Sequence, residues 1–368
     1  MIRPKFKYIV WIVTIFFTCP MHNLLTKLSS NKNMSLLLLL GFFISSTLAY
    51  RVVPHYTVSL NDPPSTRWAH VQAPYASVIK PFAESYTKQY ISPLKLKLLV
   101  ELLEVGWISP ELKEELQGLA QTCNITYHEA VFINYMYEYH AYCTSIVARL
   151  QNGTIIHGRN LDYHFIDFFD NTTAIVDFVK DGQLIFSETA FIWYFGVTTG
   201  ISSKGYSITL NERNSGSAFD NYVSLMRGFK GDLWTIRQAL IDSNTYQEAY
   251  QYLHDAKVAA PVYFILGGSG PNDGSVIVRD RTHTNYTEAL NSTTWFLVQT
   301  NYDPWLPDPT DDPRRTVATQ LMEEIGQADM NIDRLFDVLS TAPVLNDATV
   351  FTTVFVPETG YQNATIRG

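Results

Sequence analysis

Residues 143–162 read CTSIVARLQNGTIIHGRNLD, two apolar runs on either side of an Asn-Gly pair. Apolar runs joined by Asn-Gly are the strongest short-range signal of a β-hairpin. With Asn152 and Gly153 as a two-residue turn, Cys143 on the first strand pairs with Asp162 on the second. The stretch therefore predicts a hairpin that ends in a thiol facing a carboxylate.

Arg159 lies close to this predicted pair along the chain. The same count of residues places Arg159 on the opposite face of the hairpin from Cys143, unless a β-bulge at Gly158 turns it. His157 faces Ala148 or its neighbour, several residues from the thiol. We therefore interpret His157 as a structural strand residue with one hydrogen bond, and not as the base of a papain-like site.

Cleavage of the bond between Tyr142 and Cys143 would supply a different base. A cysteine nucleophile needs a base and an orienting group. Cleavage creates an α-amine on Cys143 itself, and the reference pKa of such an amine is about 7.7–8.0. The charge of Arg159 can lower that pKa, and Asp162 can orient the ammonium or the thiol.

The composition limits the class of protein. The chain has 368 residues, of which 46% are hydrophobic and 17% charged, enough for one large core or two linked layers. A net charge of −8 argues against nucleic acid as a partner. The histidines are scattered without the spacing of a zinc site, and the glycine-rich run at residues 267–270 lacks the lysine of a phosphate loop. We predict no metal and no cofactor.

Residues 1–49 predict a signal-peptide region. Basic residues precede an apolar run, and a second apolar run ends in small residues that suit cleavage before Tyr50. Either Met34 is the true start or residues 1–33 are an extension, and a retained signal anchor is the alternative interpretation. The secretory route agrees with five N-glycosylation sequons. These lie at Asn124, Asn171, Asn285, Asn291 and Asn363.

The chain has only three cysteines, Cys19, Cys123 and Cys143. Cys19 is expected to leave with the signal peptide. Cys123 could in principle pair with Cys143. We favour the interpretation of Cys123 as a small buried hydrophobe, which leaves Cys143 as an unpaired thiol and a candidate nucleophile.

The predicted secondary structure changes at Cys143, from mostly helices before it to strands after it. The preceding residues 52–140 are mostly helical in pattern, with a helix over Pro93–Val105 and a capping box at Thr126 and Glu129. The Leu- and Tyr-rich face of this segment either packs on the rest of the protein or meets lipid. Strands with helices between them follow, which indicates layered α+β packing. Strands are predicted at 176–179, 184–186, 206–210, 263–266, 276–278 and 295–300, where the set closes, and helices at 233–254, 315–325 and 332–339.

Two polar clusters interrupt apolar strands, at residues 211–214 and 301–303, and the second is followed by DDPRR at 311–315. Both clusters have the composition of surface turns. An amide side chain at a strand end is also a natural donor to an oxyanion.

Several motifs together resemble the acid ceramidase and N-acylethanolamine acid amidase family. They are CTSIVA, HGRNLDY, LNER, YFILGG, QTNYD and DDPRRT, with VPHYTVSL near the N-terminus, and the resemblance covers residues 52–368. It implies an N-terminal-nucleophile hydrolase with a four-layer αββα sandwich, made as a proenzyme that cleaves itself before Cys143 in an acidic lysosome. Residues 50–142 would form a helical α-subunit segment and residues 143–368 the catalytic β-subunit.

The resemblance also implies roles for particular residues. Cys143 would be nucleophile and base, with Arg159 and Asp162 polarising and orienting it. Asn301 would supply the oxyanion hole. Glu212 and Arg314 would support the site and the substrate amide.

The expected reaction is hydrolysis of an N-acyl lipid, such as palmitoylethanolamide, to a fatty acid and an amine through an acyl-thioester. Acid ceramidase activity is the alternative within the family, although ceramidases carry a disulfide between their subunits for which this chain has no partner. A non-catalytic secreted lipid carrier and a bile-acid amidase are more distant alternatives. The expected partners are the lipid substrate, a membrane or micelle surface met transiently, and a saposin-like lipid activator.

Overall fold

The computed structural model describes residues 52–106, 108–136 and 142–368. The predicted signal-peptide region at residues 1–49, with Cys19 and the alternative start at Met34, lies outside the described residues. None of the described helices is both long enough and apolar enough to cross a membrane.

The strands run through most of the described chain. In chain order they are β1 (His55–Ser59), β2 (Tyr142–Arg149), β3 (Ile155–Asp162), β4 (Thr173–Lys180), β5 (Gln183–Phe191), β6 (Thr199–Ser202), β7 (Tyr206–Glu212), β8 (Val262–Gly267), β9 (Gly274–Arg279), β10 (Thr284–Ala289), β11 (Phe296–Gln299), β12 (Thr349–Val356) and β13 (Tyr361–Ile366). They form an eight-stranded sheet in the order β1-β4-β5-β6-β7-β8-β9-β10 and a five-stranded sheet in the order β11-β2-β3-β12-β13.

In chain order, the described helices all lie between β1 and β13. They are α1 (Ala69–Gln72), α2 (Ala76–Tyr90), α3 (Pro93–Gly106), α4 (Pro110–Cys123), α5 (Tyr127–Met136), α6 (Ile166–Thr172), α7 (Ala218–Met226), α8 (Asp232–Asp242), α9 (Tyr246–Asp255), α10 (Arg314–Asp329) and α11 (Ile332–Leu339). Two short 3₁₀ turns lie at Ala73–Tyr75 and Pro357–Thr359.

The capping signals in the sequence mark where helices begin. The backbone nitrogen of Thr126 donates to Glu129, and the backbone nitrogen of Glu129 donates to the Thr126 hydroxyl, which completes the predicted capping box of α5. The helix predicted over 233–254 is two helices, because the Thr245 hydroxyl accepts from the nitrogen of Glu248 and starts α9 anew.

The two sheets pack face to face, and helices cover their outer faces. Apolar side chains from both sheets, among them Val147, Ile155, Ile265 and Val278, fill the space between them. Helices α10 and α11 cover the five-stranded sheet, and the N-terminal helices with α8 and α9 cover the eight-stranded one. This is the αββα arrangement that the family resemblance implied, and it agrees with the layered α+β packing predicted from the sequence pattern.

Some strands were not anticipated. β1 lies inside the segment predicted as mostly helical, and it pairs in parallel with β4, from His55 opposite Ile175 to Ser59 opposite Val179. The prediction that residues 295–300 close the set of strands is wrong, because β12 and β13 follow and β12 pairs with β3. The N-terminal segment therefore contributes a strand to a sheet of the predicted catalytic segment.

Candidate functional site

The predicted pairing of the β2–β3 hairpin is wrong by one residue. Cys143 pairs with Leu161, and Tyr142 pairs with Asp162. The turn contains three residues rather than two, since the nitrogen of Leu150 donates to the oxygen of Thr154. Gly153 in this turn has a φ of +93°, and a glycine at positive φ is typical of three-residue hairpin loops.

This shift decides which side chains meet. A one-residue change of register moves every side chain of a strand to the other face. Ser145 pairs with Arg159, so Arg159 lies diagonally from Cys143 on the same face without any bulge at Gly158. Asp162 instead lies on the opposite face from the thiol.

Arg159 holds the thiol of Cys143. Nη2 of Arg159 donates to Sγ of Cys143 at 2.7 Å, and both residues are fully buried. The other contacts of Arg159 are to uncharged acceptors, the carbonyl oxygens of Thr198 and Leu210, each at 3.0 Å, and the hydroxyl of Thr199. Burial raises the pKa of the Cys143 thiol, and the positive charge of Arg159 opposes that rise by stabilising the thiolate.

Asn301 holds the nitrogen of the same cysteine. The backbone nitrogen of Cys143 donates to Oδ1 of Asn301 at 2.8 Å. Nδ2 of Asn301 donates to the backbone oxygen of Glu212 at 2.9 Å, so the predicted supporting residue Glu212 enters this network through its main chain. In the uncut chain Asn301 therefore accepts from the atom that cleavage would turn into the α-amine.

Arg314 joins the remaining predicted residues. Its Nη1 donates to the carbonyl oxygen of Cys143 at 2.9 Å and contacts Oδ2 of Asp162 at 3.2 Å, and its Nη2 donates to Oδ1 of Asn301 at 3.1 Å. Asp312 accepts from Nε and Nη2 of Arg314 at 2.7 and 2.8 Å. Burial lowers the pKa of Arg314, but the carboxylates of Asp312 and Asp162 outweigh it and raise that pKa overall.

Asp162 is oriented from β12 and the loop before it. It accepts from the hydroxyl of Thr349 at 2.7 Å and from Nδ2 of Asn346 at 2.9 Å, in addition to Arg314. Burial raises the pKa of the Asp162 carboxyl, and these three partners act against the rise. Sequence reasoning missed Asn346 and Thr349 because β12 itself was not predicted.

The predicted cleavage bond lies where burial changes abruptly. The side chain of Tyr142 is 44% exposed, whereas Cys143 is 0% exposed. The Tyr142 ring lies 5.8 Å from the guanidinium carbon of Arg314, close enough for a cation–π contact. The predicted cleavage bond therefore joins a residue at the surface to a residue in the buried polar network.

His157 lies on the same inner face but does not contact the thiol. It hydrogen-bonds the hydroxyls of Ser207 and Thr209 at 2.8 and 3.0 Å, two bonds instead of the one predicted. Burial and the charge of Arg159 lower the pKa of His157 to about 3. A neutral imidazole that is held by two hydroxyls agrees with a structural role.

The remaining predicted positions are also placed. Cys123 and Cys143 are both unpaired, and Cys123 is buried in the main apolar core, where burial raises its pKa to about 12. All five sequon asparagines have exposed side chains, as N-glycosylation requires. They are Asn124, Asn171, Asn285, Asn291 and Asn363.

Two family models match the chain on either side of the predicted cleavage bond. Residues 51–112 match the model described as the beta subunit of N-acylethanolamine-hydrolyzing acid amidase, a label that here falls on the segment we called the α-subunit segment. Residues 143–328 match linear amide C–N hydrolases of the choloylglycine hydrolase family, and this match begins at Cys143.

Two known proteins and one solved structure are similar to this chain over most of their own length. An N-acylethanolamine-hydrolyzing acid amidase of Rattus norvegicus is 36% identical over 82% of this chain and 85% of its own. An acid ceramidase of Homo sapiens is 33% identical over 82% and 83%. The structure of a Caenorhabditis elegans N-acylethanolamine-hydrolyzing acid amidase ortholog matches with a TM-score of 0.53 and 39% identity, over 59% of this chain and 93% of that one.

Proposed function

This chain belongs to the choloylglycine hydrolase family of linear amide C–N hydrolases, among the N-acylethanolamine-hydrolyzing acid amidases and acid ceramidases, and we propose that it hydrolyses N-acylethanolamines after cutting itself before Cys143. That it is an amide hydrolase follows from the family. One observation carries the finer proposal. Sγ and the backbone nitrogen of Cys143 are each held by a separate buried side chain, Arg159 and Asn301.

The proposed activation changes the chemistry of Cys143. Sγ attacks the carbonyl carbon of Tyr142, the bond to the Cys143 nitrogen breaks, and water hydrolyses the resulting thioester. This leaves a carboxylate on Tyr142 and both a thiol and an α-amine on Cys143. Asn301, Arg159 and Arg314 support this step by holding the nitrogen, the sulfur and the carbonyl oxygen of Cys143 in fixed positions.

The proposed turnover uses the same groups. The α-amine takes the thiol proton, and the thiolate, stabilised by Arg159, attacks the acyl carbonyl of the lipid. The C–N bond breaks and the amine leaves with the proton from the α-ammonium. Water then cleaves the acyl-thioester to release the fatty acid. Asn301 has the position and the polarity to bind the oxyanion or the α-ammonium.

The leaving group is proposed from the relatives. The chain is 36% identical to the rat amidase and 33% identical to the human ceramidase, over similar coverage. Neither Cys123 nor Cys143 is positioned in a disulfide, which agrees with the amidase alternative that the sequence favoured. Ceramide hydrolysis is the second candidate.

Location and lipid contact form a further part of this proposal. We place the enzyme in the lysosome, reached by the secretory pathway, because the relatives are acid hydrolases and the five sequons are exposed.

A row of leucines on α3, Leu94, Leu98 and Leu102, is 71%, 50% and 37% exposed. This row supports transient contact with a membrane or micelle, and we retain a saposin-like activator as a proposed partner.

The test begins with the purified proenzyme at acidic pH. A new N-terminus that reads Cys-Thr-Ser-Ile-Val supports self-cleavage, and substitution Cys143→Ala should abolish both cleavage and hydrolysis. Fatty-acid release from palmitoylethanolamide is then compared with release from ceramide. Full activity of an uncut chain would contradict the proposed mechanism. Faster release of fatty acid from ceramide would assign the enzyme to the ceramidases. Lipid binding without hydrolysis would favour a lipid carrier.

A further inference from the structure

The loop that joins β5 to β6 is buried along its whole length. Residues 192–198, which we call the β5–β6 loop, read IWYFGVT, and every one is buried. A loop in the interior must pair its backbone polar groups within the protein, because water cannot reach them. The partners of this loop therefore show what fixes its shape.

The end of this loop is hydrogen-bonded to Arg159. The carbonyl oxygen of Thr198 and the hydroxyl of the next residue, Thr199, both accept from Nη1 of Arg159. A guanidinium is a rigid plane, so a shift at Nη1 also moves Nη2. Since Nη2 donates to Sγ of Cys143 at 2.7 Å, a shift of Thr198 would change how closely Arg159 approaches the thiol.

The beginning and middle of the loop are held by the N-terminal segment. Nδ2 of Asn134, on α5, donates to the carbonyl oxygen of Trp193 at 3.0 Å. Its Oδ1 accepts from the backbone nitrogen of Phe195 at 3.1 Å. Gln72, on α1, donates to the carbonyl oxygen of Ile192 at 3.0 Å. Asn134 is 1% exposed and Gln72 0% exposed, so neither side chain has solvent as an alternative partner.

A buried ion pair extends the same connection. Both Nη atoms of Arg237 donate to the carboxylate of Glu115, each at 2.8 Å, and Nη1 also donates to the carbonyl oxygen of Phe195 at 3.0 Å. Glu115 lies on α4 in the N-terminal segment, whereas Arg237 lies on α8. Two side chains of the N-terminal segment, Gln72 and Asn134, thus fix the carbonyl groups of Ile192 and Trp193. The carbonyl group of Phe195 is fixed by Arg237, which Glu115 of the N-terminal segment orients.

We propose that Asn134 is a positioning residue for the Arg159–Cys143 pair, acting across the cleavage bond through the backbone of the β5–β6 loop. This inference rests on the proposed amidase function. If Asn134 has this role, the N-terminal segment is a required part of the mature enzyme. The reason is that this segment fixes the shape of the loop whose last residue, Thr198, positions the guanidinium of Arg159 beside the thiol. Asn134 itself touches no reacting atom.

The contacts of Asn134 do not depend on an intact cleavage bond. Helix α5 is anchored by Ala130, Val131 and Ile133, each 0% exposed in the main core. Removal of the Asn134 amide would leave the Trp193 oxygen and the Phe195 nitrogen buried without partners, a cost that the loop would relieve by moving. Movement at Phe195 is then transmitted along the chain to Thr198.

The experiment compares N134A with S109A in the matured two-chain enzyme. Ser109 also lies in the N-terminal segment, where its hydroxyl caps α4 by accepting from the nitrogen of Leu112 at 3.2 Å, away from the β5–β6 loop. Both variants lose a local hydrogen bond, so both lower thermal stability. Only N134A should alter the thiol. The measurements are kcat and KM for palmitoylethanolamide and the pH dependence of Cys143 alkylation by iodoacetamide.

For N134A we expect kcat to fall about 10- to 100-fold with little change in KM, because one charge-assisted hydrogen bond to the thiolate weakens. The apparent pKa of Cys143 alkylation should rise by about one unit, while S109A leaves kcat and the alkylation profile unchanged. Wild-type kcat and a wild-type alkylation profile in N134A would overturn the inference.

Two further variants cover the remaining outcomes. If N134A does not accumulate, N134D and Q72A are interpreted in the same way, since each removes only part of the contact with the loop. If the wild-type enzyme neither cleaves itself nor hydrolyses amides, the proposed function fails, and the inference about the mature enzyme fails with it. An active wild type with an unaffected N134A overturns only the inference about Asn134.

Discussion

In the proposed mechanism, the reactivity of Cys143 depends most on Arg159. Arg159 is buried, it contacts the thiol sulfur directly, and its other acceptors among the described residues are carbonyl and hydroxyl oxygens rather than carboxylates. Its charge is therefore not neutralised by a hydrogen-bonded carboxylate and remains available to a thiolate. This arrangement opposes the effect of burial, which by itself raises the pKa of Cys143.

Replacement Arg159→Met should raise the pKa of the Cys143 thiol in the mature enzyme and lower kcat/KM about 10- to 100-fold, because the thiolate loses its charged donor. The pH dependence of iodoacetamide inactivation measures the first effect and steady-state hydrolysis the second. Arg149→Met is the control, since Arg149 lies on the same hairpin but contacts Asn272 and Asn291. Equal pH profiles for the two variants would contradict this role for Arg159.

Cys143 should also report on activation. In the uncut chain the side chain of Cys143 is 0% exposed and that of Cys123 is 2% exposed, so we expect slow alkylation of both cysteines. Burial raises the pKa of both thiols, which further lowers the thiolate fraction. After cleavage only Cys143 should become reactive, as peptide mass spectrometry can show. Rapid labelling of Cys143 before cleavage would show that the thiol is already accessible.

Helix α3 presents two apolar faces, and each has a different environment. Leu96, Val100 and Leu103 are buried against the core, at 7%, 2% and 1% exposure. The exposed row of Leu94, Leu98 and Leu102 repeats every four residues, so the three side chains lie along one side of the helix. The buried face of α3 therefore packs on the rest of the protein, which is one of the two predicted alternatives. The exposed row of leucines remains available for contact with lipid.

We expect the triple variant Leu94→Ser, Leu98→Ser, Leu102→Ser to reduce binding to phospholipid vesicles about tenfold or more, since apolar area drives such binding. Sedimentation with vesicles measures it, and hydrolysis of a water-soluble amide should stay unchanged. Leu184→Ser is the matched control, because Leu184 is 44% exposed but lies on β5. Equal binding by both variants would rule out α3 as the lipid-facing surface.

The N-terminal and C-terminal segments share one core and one sheet. β1 pairs with β4, and Glu115 forms a buried ion pair with Arg237 across the two segments. Glu188 lies beside this pair, 2% exposed, and its Oε2 has no hydrogen-bond partner among the described residues. Burial raises the pKa of Glu188 to about 8, the charge of Glu115 adds to the rise, and Arg237 opposes it.

This pKa predicts greater stability in acid. Between its usual pKa and about 8, folded Glu188 binds a proton that the unfolded chain has released. Its contribution to the free energy of unfolding is therefore fully present at low pH and is lost as the pH rises through about 8, by on the order of a few kcal/mol. Glu188→Gln, which stays uncharged, should reduce the loss of thermal stability between acidic and mildly alkaline pH. An equal loss in both proteins would show that Glu188 does not cause the pH dependence.

The sequence by itself determined the class of fold and predicted most of the candidate site. Periodicity and capping residues act over a few neighbours, so the helices that begin after Ser109 and Thr126 were predictable, as were the apolar strands. The motifs around Cys143, Asp162, Asn301 and Arg314 indicated the family, and the described residues place these side chains in one network. The proposed chemistry of the thiol rests on the place of Cys143 in the chain.

Only the tertiary structure decided which side chains meet. The three-residue turn at Gly153 moved the pairing by one position and placed Arg159, rather than Asp162, beside the thiol. The contacts of Thr349 with Asp162 and of Asn134 with the β5–β6 loop join residues far apart in the chain. Sequence patterns record the alternation within a strand, but the register between strands and the packing of distant segments are fixed only when the whole core forms.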